Sequence, residues 1–147
     1  MSYVESNLIT GEQVISYGKI HWHVYIPGLV VITSGITLLK PMAFLSSILI
    51  LVGAILLIRG WINTVSTELA ITNKRVIAKF GLIRRSTVEL LHSNVEGFMV
   101  EQGIIGRLLN FGTVVVNGTG SGKTPIPSIS APLDFRNQAL AAIESNA

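Results

Sequence analysis

LAITNKRVIAKFGLIRRSTVEL, residues 69–90, holds three short segments of strand character separated at defined points. Thr67–Thr72 (TELAIT) ends at the turn pair Asn73-Lys74, Arg75–Phe80 (RVIAKF) ends at Gly81, and Arg84–Leu90 (RRSTVEL) resumes the pattern. Apolar residues, several of them β-branched, alternate with polar ones as in half-buried strands, while Asn and Gly supply the backbone that turns need. The spacing predicts an antiparallel meander. Downstream, Val95–Glu101 and Thr113–Asn117 are two more such segments.

Towards the C-terminus, Lys123–Ile126 can pair back with Thr113–Asn117, but Pro125 and Pro127 restrict it to an edge. The chain then closes on a helix, with Ser130 as its cap, Pro132 in the first turn and Asp134 complementing the N-terminal dipole. Phe135, Ala139, Ala142 and Ile143 form one apolar stripe suited to covering an open end of the sheet. Near the N-terminus, Glu12–Ile20 (EQVISYGKI) also has strand character and is a candidate addition to the same sheet.

Between these parts the chemistry changes. Hydrophobic residues make up 49% of the chain and charged residues 13%, with a mean hydropathy of +0.58. An ordinary soluble domain is about 25% charged. The apolar excess lies in two uncharged runs, Val24–Leu39 (VYIPGLVVITSGITLL) and Met42–Ile58 (MAFLSSILILVGAILLI), separated by Lys40-Pro41. Each is slightly short of the roughly 20 residues that cross a hydrocarbon core of about 30 Å. Trp22 and Tyr25 at one end and Trp61 at the other extend the spans into the interface, and Arg59 can snorkel outward. Gly28, Gly35 and Gly53, with Ser34, Ser46 and Ser47, allow close helix approach.

The sequence therefore predicts residues 1–23 as an N-terminal segment, 24–60 as a two-helix transmembrane hairpin and 61–147 as a β-rich domain. The first run begins too far in, behind Glu5 and Glu12, to read as a secretory signal. Two spans put both termini on one side. Lys40 is the only base between the runs, against Lys19, Arg59 and a basic stretch on the other side. That asymmetry places both termini in the cytoplasm, in an inner membrane crossed more than once.

The basic stretch is Lys74, Arg75, Lys79, Arg84 and Arg85, and these are the candidate lipid- or partner-binding residues. Each base close to an anionic leaflet contributes about 1 kcal/mol, falling off within a Debye length. No RNA- or DNA-binding motif accompanies the net charge of +3, so nucleic acid is not an expected partner. The absence of cysteine excludes disulfides, thiolate metal sites and cysteine nucleophiles.

Other motifs fall short of chemistry. Gly118–Thr124 (GTGSGKT) has Asn117 where a phosphate-binding loop needs its first glycine, and it runs into Pro-Ile-Pro instead of a helix. His21 and His23 flank Trp22 without a third ligand nearby, and read as polar residues beside a membrane helix. His92 reads as a turn residue, and Glu89, Glu96 and Glu101 as the solvated face of a sheet. Ile104–Phe111 (IIGRLLNF), with Arg107 in its middle, reads as core and loop packing, the alternative being a semi-exposed contact surface. No catalytic residue, cofactor or metal site is expected.

Three stretches together resemble a known family: Leu69–Leu90, Ser93–Val116 (SNVEGFMVEQGIIGRLLNFGTVVV) and Ser130–Gln138 (SAPLDFRNQ). With the leading ESNLITGEQVISYGKIHWHVYIPG, the chain resembles the bacterial pleckstrin-homology-like domains of small membrane proteins over nearly its whole length. The resemblance implies a bent antiparallel barrel or sandwich capped by a C-terminal helix, and a binding or assembly module without enzymatic activity. In eukaryotic pleckstrin-homology domains, bases near the first strand–strand loop bind inositol phosphates; by position the counterparts are Lys74, Arg75, Arg84 and Arg85. The expected function is thus a membrane-anchored scaffold docking anionic headgroups, its own copies or a membrane-protein partner. The alternative is a structural or accessory subunit of a larger membrane complex.

Overall fold

The structure, a computed structural model, describes residues 3–81, 86–120 and 122–145. The chain divides into two units, one formed by Met1–His21 with Ser66–Ala147 and the other by Trp22–Val65.

In the first unit, β1 (Val14–Gly18), β2 (Glu68–Thr72), β3 (Arg75–Phe80) and β4 (Ser86–Leu91) form one antiparallel sheet in that order. A second antiparallel sheet holds β5 (Val95–Glu101), β6 (Phe111–Gly118) and β7 (Gly122–Ser130). The two are stitched where β1 runs on past its end. The His21 amide donates to the Ser128 carbonyl at 2.7 Å, and the Ser130 amide to the Lys19 carbonyl at 2.8 Å. β4 and β5 are left as the outer strands. Leu69, Ile71 and Val76 from one sheet meet Val114, Ile126 and Ile129 from the other in a single core, which Phe135, Ala139 and Ala142 of α5 (Pro132–Glu144) close. The stripe expected on the last helix is the face that covers the barrel.

β2 is buried on both faces. Leu69 and Ile71 point into the main core, while Ala70, with Ile77 of β3, packs under Val4 of α1 (Tyr3–Ser6). So short a helix leaves no period to detect in sequence. The strand foreseen within Glu12–Ile20 is β1, paired with β2.

Two local expectations are corrected. β7 runs through both Pro125 and Pro127 for nine residues, beyond the expected Lys123–Ile126. Its register to β6 shifts between Gly112 and Val114, opposite Pro127 and the left-handed Ser128, so the ladder absorbs a residue without an N–H to give. Ser130 is the last residue of that strand and does not cap α5. Ala131, at φ 45°, makes the turn instead, with no side-chain cap.

The second unit is a helical hairpin. After a 3-10 turn at Trp22–Tyr25 comes α2 (Ile26–Thr37), then α3 (Ala43–Ser66). Pro27 sits in the first turn of α2, where its missing N–H costs nothing. The glycines set the approach. A Cβ on Gly53 would lie 2.5 Å from Ile32 Cγ1, and one on Gly28 2.6 Å from Leu57 Cδ2. The buried Ser46 hydroxyl donates to the Gly35 carbonyl at 2.7 Å. Among the described residues, α3 is the one helix long and apolar enough to cross a membrane, with 24 residues, the most apolar 18 of them having a mean hydropathy of 2.3. The first apolar run does not give a second helix of that length. α2 has 12 residues, about 18 Å at the α-helical rise.

Candidate functional site

The ladder register gives each sheet two ends. In the first, Gly18, Leu69, Lys79 and Thr87 lie at one and Val14, Thr72, Arg75 and Leu91 at the other; in the second, Glu101, Phe111 and Ser130 lie at one and Val95, Gly118 and Gly122 at the other. The bond from the Ser130 amide to Lys19 joins the first ends of the two sheets, and those from the His92 amide to Lys74 and the Thr119 amide to Asn94 join the second. The chain leaves for the helical hairpin after His21 and returns at Ser66, both at the first of these, here called the crossing end. The opposite end carries the β2–β3 turn, the β4–β5 corner and the β6–β7 turn.

That register divides the basic stretch. Lys74 and Arg75 are at the opposite end and Lys79 at the crossing end; Arg84 and Arg85 lie outside the described residues. The three described bases, close in sequence, are not one surface.

Their surroundings differ as much as their positions. Arg75 binds Glu12 with two parallel bonds, Nε to Oε1 at 2.9 Å and Nη2 to Oε2 at 3.0 Å. It also donates to Glu89 at 2.6 Å and to the Asn7 carbonyl at 2.8 Å. The Glu12 side chain is fully buried, and its carboxylate additionally accepts from the Thr72 hydroxyl at 2.7 Å and the Ile9 amide at 2.8 Å. Burial opposes ionisation of Glu12, but the bonds from Arg75, Ile9 and Thr72 outweigh it, and the carboxyl sits below its ordinary value. The same bond to Glu12 raises Arg75 against the opposing cost of burial. Thr72 accepts the Lys74 and Arg75 amides on its hydroxyl, so the group that bonds Glu12 also shapes the turn. Sequence alone missed Glu12 and Thr72 here, because nothing local links positions sixty residues apart. Glu89 was more legible: it stands diagonally across β3–β4 from Arg75, within reach of long side chains.

Lys79 donates to Glu68 at 2.9 Å and lies 5.2 Å from the centre of the Tyr3 ring. Lys74 is exposed and bonds the Thr10 carbonyl at 2.9 Å. Arg75 and Lys79 thus face internal acids, whereas the Lys74 side chain meets solvent.

At the crossing end, between β5 and β6, stands α4 (Ile104–Leu108). The expectation that Ile104–Phe111 packs in the core is overturned, since Ile104 is 91% exposed, Leu108 84% and Ile105 66%. The backbone beneath them is tied down. The Gln102 amide donates to the carbonyls of Gly106 and Phe111, and a Cβ on Gly106 would lie 2.6 Å from the Phe111 oxygen. An open cavity of about 450 Å³ beside it is lined by Val100, Gln102, Arg107, Asn110 and Leu133.

The remaining motifs find structural places. Lys123 sits in β7 opposite Asn117, so GTGSGKT joins strand to strand and has no helix to cradle a phosphate. His21 is buried against the Phe111 ring, with centroids 5.2 Å apart, and belongs to the β unit instead of the membrane border. No group of three metal-ligating side chains occurs among the described residues. In the hairpin, the Tyr25 hydroxyl donates to Thr64 at 3.1 Å, which brings Trp22, Tyr25, Arg59 and Trp61 to one end of the helix pair.

Two sheets closed by a C-terminal helix define a PH-like fold. The family described as the bacterial PH domain matches residues 24–142, and the chain belongs to that family. The match opens at the first residue of the first apolar run and ends within α5, so it includes the helical hairpin as well as six of the seven strands. No curated protein and no solved structure matches the chain.

Proposed function

We propose that the chain is a membrane-anchored binding module, whose hairpin enters the bilayer and whose PH domain docks without catalysing a reaction. PH domains are generally binding modules, and family membership supports that part of the reading. The anchor rests on α3. Its side chains Phe44, Leu51, Ile55 and Trp61 are all more than half exposed, in a helix whose most apolar 18 residues have a mean hydropathy of 2.3. Water is a poor solvent for them; fully burying one such side chain stabilises by roughly 1.5–3 kcal/mol. A bilayer supplies that burial along the whole helix.

The two-helix arrangement fits the same reading. Glycines at close crossings and an interhelical serine bond are how helices associate where no hydrophobic difference from lipid drives them. Trp22, Tyr25, Arg59 and Trp61 suit one interface, and Lys40 faces the other, so the Lys/Arg bias favours cytoplasmic termini. Arg84 and Arg85 are assigned to anionic headgroups on the strength of their charge. Lys74, at the opposite end, is assigned to an acidic partner, a second copy or a membrane protein.

Fractionation of cells expressing the full chain tests the anchor. The protein is expected in membranes washed with alkaline carbonate, and to need detergent for release. A monodisperse protein in plain buffer would overturn the proposal.

A further inference from the structure

Three large aliphatic side chains project from the five residues of α4, and the loop beneath holds them out instead of letting them fold back. Between Glu101 and Asp134 the sequence has no acid, and Arg107 sits among the three. An apolar tip beside a base is the composition that enters the headgroup–acyl boundary of an anionic membrane. The stacking of His21 on Phe111, and the pairing of Phe111 with Ser130, which bonds Lys19, put this tip close to where the chain departs for the hairpin. A tether so close keeps any bilayer holding the hairpin at high effective concentration for the tip.

From these observations we infer that α4 is a second, shallow membrane contact, with Ile104, Ile105 and Leu108 in the acyl boundary and Arg107 at the phosphates. The inference rests on reading the hairpin as an anchor. It adds a contact in the β domain that holds that domain to the lipid by apolar insertion, separately from the bases.

The lack of cysteine makes the test direct. Full-length Leu108→Cys, Thr119→Cys and Leu51→Cys variants carry an environment-sensitive dye, in nanodiscs of phosphatidylcholine and phosphatidylglycerol with or without nitroxide-labelled lipid. All three positions are exposed, so the variants leave the core intact. The expected result is a blue-shifted dye at 108, quenched by the nitroxide lipid and several-fold less by iodide than the dye at 119. A wet 108 with a lipid-quenched 51 overturns the tip contact and leaves the anchor standing. A dry 108 that nitroxide lipid does not quench means protein covers it, and also overturns the inference. If neither 51 nor 108 meets lipid, the anchor has failed and the tip contact falls with it.

Discussion

Glu12 is a carboxylate with no exposed side-chain surface, made tolerable by four hydrogen bonds and one guanidinium. Removing one partner of a buried pair leaves the other charge stranded, which typically costs about 3–5 kcal/mol. Glu12→Gln keeps the shape but not the charge, and Glu89 still serves Arg75, so a loss of about 3 kcal/mol is expected in denaturant unfolding of the detergent-solubilised chain. The pH sign follows from the lowered carboxyl. A depressed acid contributes stability that is complete above its unfolded value, near 4.5, and disappears as pH falls through the folded one. The native chain should therefore lose stability steeply below that range. Glu12→Gln should start lower and show a shallower acid slope. Equal slopes would mean another group sets the acid limit.

At the level of elements, short apolar runs bounded by turn residues placed β2 and β3, which are buried on both faces along most of their length, and alternation placed β5, which is half-buried. The stripe on α5 was legible for the same reason at helical period. α4 was not. Ile104, Ile105 and Leu108 share a helix face whether that face is buried or bare, and only the absence of a covering element decides between the two. α2 was overestimated, since an apolar run does not record where a helix starts; the 3-10 turn at Trp22–Tyr25 and the end at Thr37 shorten it. What the sequence did carry there was the small-residue seam. In Gly53→Leu, the new Cβ meets Ile32 Cγ1 at 2.5 Å, the Ile32 amide nitrogen at 3.0 Å and the Gly28 carbonyl at 3.1 Å. Backbone cannot rotate aside, so the helices must part, at a cost of about 1–3 kcal/mol for overpacking. Thermal unfolding in mild detergent should show it as a lowered Tm, while Leu51→Phe, on an exposed face of the same helix, should leave the Tm unchanged.

Across the whole molecule, the proposed anchor makes function depend on which side of the bilayer receives the β unit. Both crossings leave that unit at one end, so a hairpin that enters and returns keeps the N-terminal strand and the remaining strands on the same side, where β1 and β2 can pair. A single span between β1 and β2 would put the partners of that ladder in different compartments. If the hairpin enters a bilayer, the pairing of Tyr17 with Ala70 and Gly18 with Leu69 thus demands an even number of crossings, independently of any count of bases. With α2 too short to span alone, the proposed two-span anchor requires its second crossing to draw on the Trp22–Tyr25 turn and the residues after Thr37, or the bilayer to thin around it. In spheroplasts of a bacterial host, a membrane-impermeant maleimide should label Lys40→Cys from outside and reach Thr119→Cys only after permeabilisation. If instead neither position reacts until the membrane is opened, α2 and α3 enter and leave from the cytoplasmic face without crossing. The β1–β2 ladder would survive that outcome, but the two-span anchor would not.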